Sequence, residues 1–483
     1  MTLATVPRYD RDRITDRGGH VVVVGAGVAG LLAARVLADA VDEVTVIDRD
    51  PLPGEPVARR GVPQSRQIHI LWEAGRAVLE ELFPGYSEEL LAAGGVNIDG
   101  RRDLYLYSQG GYLAAGTKPF PLYAATRPLY EQLLRRRVAD VDGITLRGGC
   151  RFVDYCVDDD ATTVQGVTIR ETRSRRTGLS ADLVVDATGR TSRTPTWLER
   201  HGYRPPPTEE VRIDLAYSAT CLERPEDDHR MVGILAEAPR TRGGAVLPVE
   251  DGRWLVNLHG VHGDHPPTEP EASSAFAASL PTPIVSDLLA EFPTVSDEIA
   301  FYPFPSNRRY RYEDLERFPD GLLVVGDALA SFNPIYGQGM SVAALEALVL
   351  HRALATEARE QLARRFFDRA AEVVDTAWLL ATGADLSFSQ TQGTRPRGTA
   401  FVDWYLSRLF RNAHIDSVLT DAFTRVLSMQ DPPSSLLRPG VMWRVCRPGR
   451  SRGVSMPRDP PGGRVRDRSV ENTARLPRER TRL

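Results

Sequence analysis

The sequence is poor in the residues from which metal sites and disulfide frameworks are built. It has four cysteines, and neither a CxxC pair nor a regular spacing is present among Cys150, Cys156, Cys221 and Cys446. This pattern predicts free thiols in a reducing compartment and argues against structural zinc. We therefore predict no bound metal ion.

An excess of charge of one sign is also missing. The chain has 60 Lys and Arg against 64 Asp and Glu, a formal net charge of −4, and Lys118 is its only lysine. Such a balance gives no general attraction to nucleic acid or to an anionic membrane. No apolar run has the length of a membrane helix, and glycines and Arg35 interrupt the one that could resemble a signal peptide. We predict a cytoplasmic protein that contacts neither nucleic acid nor membrane.

The most informative stretch is residues 20–50, HVVVVGAGVAGLLAARVLADAVDEVTVIDRD. Four consecutive valines predict a strand buried on both faces, and Gly25, Gly27 and Gly30 follow with the spacing of a pyrophosphate-binding turn. A helix then begins, and its N-terminus favours a phosphate group. A second strand ends at Asp48, where a carboxylate commonly binds a ribose. These features predict a dinucleotide-binding unit, and a glycine-rich turn without a ligand is the alternative.

The remaining chain separates into two textures. Residues 181–186 and 321–325 have the solid apolar pattern of buried parallel strands, and ATGRTS and GDALASFNPIYGQGMS follow them. Residues 212–302 alternate between apolar and polar, which is typical of an antiparallel sheet covered on one face, with one helix near residues 272–292. Helices are also predicted over residues 68–82 and 361–447. Almost no apolar residues follow position 447, which predicts disorder.

In combination, GAGVAG, DATGRTS and GDALASFNPIYGQGMS resemble the motifs of FAD-dependent monooxygenases of the p-hydroxybenzoate hydroxylase fold. Residues 59–85 and the third motif are most similar to bacterial epoxidases of polyether biosynthesis, which act on polyenes. The resemblance implies an α/β fold: a Rossmann-like FAD-binding domain, an interleaved antiparallel β-sheet substrate domain and a helical C-terminal region. The expected boundaries are a flexible leader at 1–19, the FAD-binding domain at 20–210 and 303–360, the substrate domain at 211–302, C-terminal helices at 361–447 and a disordered tail at 448–483.

The resemblance also assigns cofactor contacts to each motif. The glycine turn would hold the FAD pyrophosphate and Asp48 the adenosine ribose, whereas Arg127 would reach the phosphate or the ribityl chain. Val153 would meet the adenine, and Asp327 would bind a ribityl hydroxyl beside a helix N-terminus that faces the flavin pyrimidine ring. The implied cofactor-binding residues are Gly25, Ala26, Gly27, Val28, Ala29, Gly30, Asp48, Arg49, Arg60, Arg127, Val153, Asp186, Ala187, Gly189, Gly326, Asp327, Pro334, Gly337, Gln338, Gly339, Met340 and Ser341.

The implied reaction inserts one atom of O2, by way of a flavin C4a-hydroperoxide, into an electron-rich alkene or ring. NAD(P)H or a partner flavin reductase would supply the electrons, and the substrate would be a large apolar secondary metabolite such as a polyketide or isoprenoid alkene. Phe332, Pro334 and Tyr336 are candidate walls of the reaction chamber, with simple packing of their loop as the alternative.

Other flavin chemistries are the alternatives. An NADPH-dependent aromatic hydroxylase is weakened because DATGRTS stands where those enzymes usually have an Asp-Gly pair. A flavin halogenase is disfavoured because its two tryptophans one residue apart are missing. A flavin oxidoreductase that reduces or desaturates its substrate without inserting oxygen stays open, as does an inactive flavoprotein used for binding.

Overall fold

The computed structural model of the protein describes residues 1–15, 18–171, 175–355 and 361–447. Its strands are β1 (His20–Val24), β2 (Glu43–Ile47), β3 (Val96–Asp99), β4 (Leu104–Ser108), β5 (Gly111–Tyr112), β6 (Pro121–Ala124), β7 (Ile144–Arg147), β8 (Arg151–Val157), β9 (Val164–Arg170), β10 (Arg176–Ser180), β11 (Leu183–Asp186), β12 (Thr208–Glu223), β13 (Met231–Ile234), β14 (Arg242–Val249), β15 (Arg253–Gly260), β16 (Ala300–Tyr310), β17 (Leu322–Val324) and β18 (Ala330–Ser331). Its helices are α1 (Val28–Leu37), α2 (Glu73–Leu82), α3 (Tyr86–Ala92), α4 (Arg127–Ala139), α5 (Thr194–Arg200), α6 (Pro270–Ala278), α7 (Ile284–Glu291), α8 (Gly339–Leu354), α9 (Leu362–Leu386), α10 (Thr399–Ala413), α11 (Ser417–Leu427) and α12 (Pro439–Cys446).

The predicted nucleotide-binding sheet is present. Its five strands are all parallel, in the order β17-β11-β1-β2-β7. The valines of β1 are buried because β11 and β2 pair with it on both sides and helices cover the sheet. The carboxyl ends of β1, β2, β11 and β17 therefore meet at one edge, which is where ligands bind in open α/β sheets.

The second large sheet has eight strands, in the order β18-β16-β12-β15-β14-β13-β4-β5. Its pairs are antiparallel except for β13 with β4. The boundary predicted at 211–302 is too narrow, because β12 begins at Thr208, β16 ends at Tyr310, and β4, β5 and β18 come from outside the range. Strands from distant parts of the chain complete this sheet by hydrogen bonding, which leaves no local mark in the sequence.

Alternation gives this sheet two different faces. One face carries Val232, Trp254 and Val256 and packs on α6 and α7. The one helix predicted over 272–292 is in fact these two helices, separated at Pro281 and Pro283, since proline lacks the N–H that an uninterrupted helix needs. The opposite face lines an internal cavity.

Two further expectations are corrected. Helix α2 begins at Glu73, so residues 68–72 precede it, and Ile68, Ile70 and Trp72 line the cavity. The flexible leader is also wrong for its first residues, because the N–H groups of Leu3 and Ala4 donate to the carbonyls of residues 429 and 430 and anchor them to the C-terminal region. The predicted tail at 448–483 lies outside the described residues.

The C-terminal helices form part of the cavity wall. Tyr405 and Leu409 of α10 belong to the same buried hydrophobic cluster as Leu247 and Leu255 of the eight-stranded sheet, and α11 contributes Phe423 and Leu427 to the cavity wall. No helix within the described ranges has both the length and the apolar character required to span a bilayer.

Candidate cofactor and substrate site

A single cavity of about 700 Å³ connects the edge of the parallel sheet with the free face of the eight-stranded sheet. Two helix N-termini open into it, those of α1 at Gly27 and Val28 and of α8 at Gly339. Neither N-terminus is capped by a side-chain hydrogen bond. Both helices therefore offer N–H groups and the positive end of a dipole to a ligand in this cavity.

The first glycine turn is shaped by close backbone approach. Gly25 has φ of +115°, and a Cβ there would lie 2.4 Å from the carbonyl oxygen of Ala187. A Cβ on Gly30 would lie 1.9 Å from the carbonyl oxygen of Gly25, so α1 can pack against the turn only with glycine at this position. A Cβ on Gly27 would instead meet nothing within 4 Å. The turn thus leaves room for a ligand beside the N-terminus of α1.

A buried charge network holds the nucleotide end of the cavity. Asp48 accepts hydrogen bonds from the N–H of Ala26 at 2.8 Å and from Arg59 at 3.0 Å. Arg59 also pairs with Glu131 at 2.8 Å, and Glu131 pairs with Arg127 at 2.8 Å. Burial raises the pKa of Glu131, but Arg127 and Arg59 outweigh this effect and the net pKa is lowered. The ionised network fixes Arg127 at the start of α4, where it lines the cavity.

Arg60, which the resemblance implied as a cofactor contact, is exposed and does not line the cavity. Its neighbour Arg59 occupies the site instead. Adjacent arginines on an irregular segment are equivalent in the sequence, because only the backbone course decides which of them points inward.

The third motif supplies the opposite end of the cofactor site. Asp327 is open to the cavity but surrounded by protein, and the resulting loss of hydration raises the pKa of its carboxyl against the opposing effect of Arg127 and Arg190. Gly326 donates its N–H to Glu346 of α8 at 2.7 Å, which ties the motif to the helix that follows it. A Cβ on Gly339 would meet nothing within 4 Å, so the start of α8 is as open as the start of α1.

The second motif has a supporting role. Asp186 does not line the cavity; it accepts hydrogen bonds from the hydroxyls of Thr188, Ser192 and Thr194, at 2.6, 2.5 and 2.5 Å. These bonds hold the turn that presents Ala187 to the cavity. The implied contact between Asp186 and the cofactor is thus replaced by an indirect one.

Most of the implied cofactor residues do line one cavity. The exceptions are Ala26, Gly30, Arg60, Asp186 and Ser341. The hydroxyl of Ser341 is buried without a hydrogen-bond partner in the first turn of α8. The residues found on the cavity wall are Gly25, Gly27, Val28, Ala29, Asp48, Arg49, Arg127, Val153, Ala187, Gly189, Gly326, Asp327, Pro334, Gly337, Gln338, Gly339 and Met340.

This arrangement fits FAD. An extended cavity with two open helix N-termini matches a long dinucleotide that has anionic groups in its middle and at its flavin ring. Asp48 and Asp327 line the same cavity and would accept hydrogen bonds from sugar and ribityl hydroxyls. These residues would hold FAD, and reduced FAD supplies the electrons that activate O2.

The substrate end of the cavity, here called the chamber, was not assigned residue by residue from the sequence. Its floor is the free face of the eight-stranded sheet, and Phe332, Pro334 and Tyr336 stand on its flavin side. The alternation of β13 to β15 was the available signal, but it does not tell which face meets a ligand. The chamber residues from the sheet and its neighbours are Leu106, Tyr217, Met231, Gly233, Leu235, Ala245, Leu247, Asn257, His259, Tyr302 and Phe304.

Comparison with known proteins agrees with this geometry. Residues 19–375 match the family model described as FAD binding domain. The chain belongs to this FAD-binding family, its fold is that of p-hydroxybenzoate hydroxylase-like flavoproteins, and it is an FAD-dependent monooxygenase.

Individual relatives are similar over most of their length. The chain is 34% identical to protein Rv3254 of Mycobacterium tuberculosis over 445 residues, covering 87% of this chain and 91% of that protein. It is 27% identical to kynurenine 3-monooxygenase of Salinispora tropica over 358 residues, covering 70% and 73%. Among solved structures, the flavin-dependent brominase Bmp2 superposes with a TM-score of 0.61 at 16% identity, covering 85% and 94%. The brominase comparison shows the fold alone.

Proposed function

We propose that the protein inserts one oxygen atom from O2 into a large, uncharged and mainly apolar small molecule. The reaction is epoxidation of an alkene or hydroxylation of an electron-rich ring, and a polyketide or isoprenoid of polyene type is the proposed substrate. The similarity of the third motif to polyether epoxidases led to this substrate class, and the chamber supports it.

The carrying observation is the charge distribution along the cavity. Among the described lining residues, those from the eight-stranded sheet and α11 include no Asp, Glu, Lys or Arg. The only titratable group of this wall below pH 9 is His259, and burial lowers its pKa to about 3, so the imidazole is neutral. The arginines of the cavity all come from the nucleotide side: Arg49, Arg59, Arg127, Arg151, Arg170 and Arg193.

An uncharged wall selects against charged substrates. Transfer of a carboxylate into such a chamber would remove its hydration without a cation to replace it. Two arginines of the eight-stranded sheet that could have anchored a polar end of the substrate, Arg253 and Arg308, do not line the cavity. An amino acid such as kynurenine, with both a carboxylate and an ammonium group, would therefore fit this wall poorly.

The protein contributes position and exclusion of water. Trp72 donates its indole N–H to the carbonyl oxygen of Tyr336 at 2.7 Å, so the segment before α2 holds the loop on the flavin side of the chamber. Phe423 and Leu427 cover the chamber from α11. A dry chamber would keep water away from a bound flavin, which favours transfer of oxygen to the substrate.

The test is turnover of uncharged polyenes, simple phenols and kynurenine under ¹⁸O2. We expect one labelled oxygen atom in a polyene product and no turnover of kynurenine. Turnover of a simple phenol without turnover of any polyene would instead support an aromatic hydroxylase. A polyene product free of label would support the oxidoreductase alternative and contradict oxygen insertion.

The electron source is tested separately. Anaerobic addition of NADPH to the FAD-loaded protein should bleach the flavin absorbance if the protein takes electrons from NAD(P)H directly. Bleaching only after addition of a flavin reductase would assign this step to a partner protein.

A further inference from the structure

A buried carboxylate outside the three motifs lies behind the flavin side of the chamber. Asp385 is in the last turn of α9 and is 4% exposed. Its two oxygens accept one hydrogen bond each, from the side-chain amides of Asn307 at 2.6 Å and Asn333 at 2.8 Å. The two asparagines are also buried, and the backbone N–H of Asn333 donates to the side-chain oxygen of Asn307 at 2.5 Å.

This position is unfavourable for a carboxylate in three respects. Asp385 is removed from water, no cation within the described ranges forms an ion pair with it, and the C-terminal end of a helix is the negative end of its dipole. Burial accordingly raises the pKa of Asp385 to about 7, against the opposing effect of the amides of Asn307 and Asn333. What the carboxylate supplies here in return is a pair of acceptors for two buried amide groups, which are costly to leave without a partner.

The carboxylate determines the orientation of one amide. Because the Asn333 amide nitrogen donates to Asp385, its oxygen must point the opposite way, where it accepts from the hydroxyl of Tyr217 at 3.0 Å and from the backbone N–H of Ile335 at 3.1 Å. Tyr217 and Ile335 line the cavity. A rotated amide would place a donor against both of these donors.

The loop that follows leads directly into the flavin site. Residues 332–337 form a short turn that ends at Gly337, whose N–H donates to the carbonyl oxygen of Pro334 at 2.8 Å, and α8 begins two residues later. We propose that Asp385 is a positioning residue that, through Asn333, fixes the 332–337 loop against the flavin and so couples the C-terminal helices to the cofactor site.

The loop position does not depend on the proposed reaction, but its consequence does. If the protein inserts oxygen as proposed, a loosened loop admits water and diverts O2 to hydrogen peroxide. The experiment therefore needs a structural measurement that is independent of turnover.

The variants are Asp385→Asn, Asn333→Ala and the double variant, with Thr391→Val as the matched control. Asn at 385 keeps the size of the side chain but has one amide oxygen in place of two carboxylate oxygens. It can therefore accept from only one of Asn307 and Asn333, and it places its N–H₂ group against the other amide. Thr391 donates to the backbone carbonyl of Asp385 at 2.6 Å, so its replacement disturbs the same neighbourhood without touching the carboxylate.

The measurement is amide hydrogen exchange of residues 332–338, in protein without FAD and with FAD, together with visible circular dichroism of the bound flavin. We expect Asp385→Asn and Asn333→Ala each to accelerate exchange at Ile335 and Gly337 by about tenfold or more and to change the flavin dichroism. The double variant should show no further change, because both residues act through one contact. Thr391→Val should resemble the wild type.

Protonation provides a second route that needs no substitution. The groups facing the carboxylate are the Asn307 and Asn333 amides and the hydroxyl-bearing Tyr217 and Tyr336, while His262 is one step further away through Thr391. Both amide bonds are complete only when Asp385 is ionised, so exchange in the loop should increase as the pH falls through about 7, after correction for intrinsic exchange. This pH dependence should be lost in Asp385→Asn.

Wild-type exchange in Asp385→Asn and Asn333→Ala, or additive effects in the double variant, would overturn the proposal. Changed exchange and dichroism without any ¹⁸O incorporation would support the positioning role while removing the oxygen-insertion function. If Asp385→Asn fails to fold, Asn333→Ala and the pH series decide the question.

Discussion

The two ends of the cavity are built in different ways. The nucleotide end uses backbone groups, glycines and charged side chains from places where a strand ends and a helix starts. The chamber end uses uncharged side chains from the middle of strands, at every second position. The backbone groups and charges of the nucleotide end suit an anionic cofactor. The strand side chains of the chamber can be exchanged, which changes the shape of the pocket without altering the fold.

The largest effect is expected from Gly27→Val, which should impair the nucleotide end of the cavity while the fold stays intact. A Cβ at this position meets no protein atom within 4 Å, so we expect the fold to tolerate valine while the branched side chain occupies space beside the N-terminus of α1. FAD affinity should fall by at least about 100-fold, roughly 2.7 kcal/mol. Titration of the FAD-free protein with FAD measures the loss, and thermal unfolding monitors the fold.

Gly383→Val is the matched control, since a Cβ at this position of α9 also meets nothing within 4 Å and the residue does not line the cavity. Normal FAD affinity in Gly27→Val would show that the turn does not approach the cofactor.

Ala245→Phe should have the opposite effect, because it should impair the chamber and leave FAD binding at the nucleotide end almost unchanged. Ala245 on β14 lies between Gly233 and Asn257 on the neighbouring strands, and its side chain faces the chamber. Phenylalanine would fill the floor of the chamber, so turnover of large substrates should fall by about tenfold or more while FAD affinity stays within about twofold of the wild type. Steady-state kinetics and FAD titration measure the two effects.

Leu247→Ala, on the same face of β14, removes volume where Ala245→Phe adds it and should retain large substrates. Loss of FAD binding in Ala245→Phe would contradict the independence of the two ends.

A third comparison concerns the two carboxylates that line the cavity, Asp48 and Asp327. Asp327 makes no side-chain hydrogen bond within the described part of the chain, whereas Asp48 holds Ala26, Arg59 and Asp50. Asp327→Ala should therefore weaken FAD binding by about 1.5–3 kcal/mol without lowering the stability of the FAD-free protein. Asp48→Ala should lower that stability as well, because Ala26 and Arg59 lose a buried partner.

FAD titration and thermal unfolding of the FAD-free variants test this difference. A destabilised Asp327→Ala protein, or an unaltered melting temperature in Asp48→Ala, would reverse the assignment.

The last expected effect is a pH-dependent difference in stability between the wild type and Glu346→Gln. Burial raises the pKa of Glu346 from 4.5 to about 7, against the opposing hydrogen bond from Gly326. The folded protein therefore holds a proton that the unfolded chain releases, and the stability this adds is complete below about pH 4.5 and is lost as the pH rises through about 7. Relative to Glu346→Gln, the wild type should lose roughly 3 kcal/mol of unfolding free energy between pH 4.5 and 8.

Denaturant unfolding of the FAD-free wild type and Glu346→Gln at several pH values measures this difference. Glutamine can still accept the N–H of Gly326, so the comparison isolates the charge. A constant difference between the two proteins over this pH range would contradict the raised pKa.

The nucleotide end was largely predictable because its causes are close together in the chain. The valines of β1, the glycines of the turn and Asp48 lie within 28 residues, and each acts through its own backbone conformation or its immediate neighbours. The cap of α4 at Thr126, which accepts from the N–H of Leu129, is another local feature, because threonine is a common residue at the start of a helix. Arg60 does not line the cavity as expected, because the direction of a side chain on an irregular segment depends on the course of the backbone.

Three features follow from the sequence alone: the glycine turn, the strand ends that carry Asp48 and Asp327, and the change from parallel to alternating strands. Each depends on backbone sterics or on apolar periodicity along one stretch of chain. The tertiary structure alone decided which face of the eight-stranded sheet meets the ligand, that Arg59 rather than Arg60 points inward, and that Asp385 reaches Asn333 across 52 residues. Such contacts join segments far apart in the chain, and long-range packing, unlike a turn or a cap, has no signature within the residues that make it.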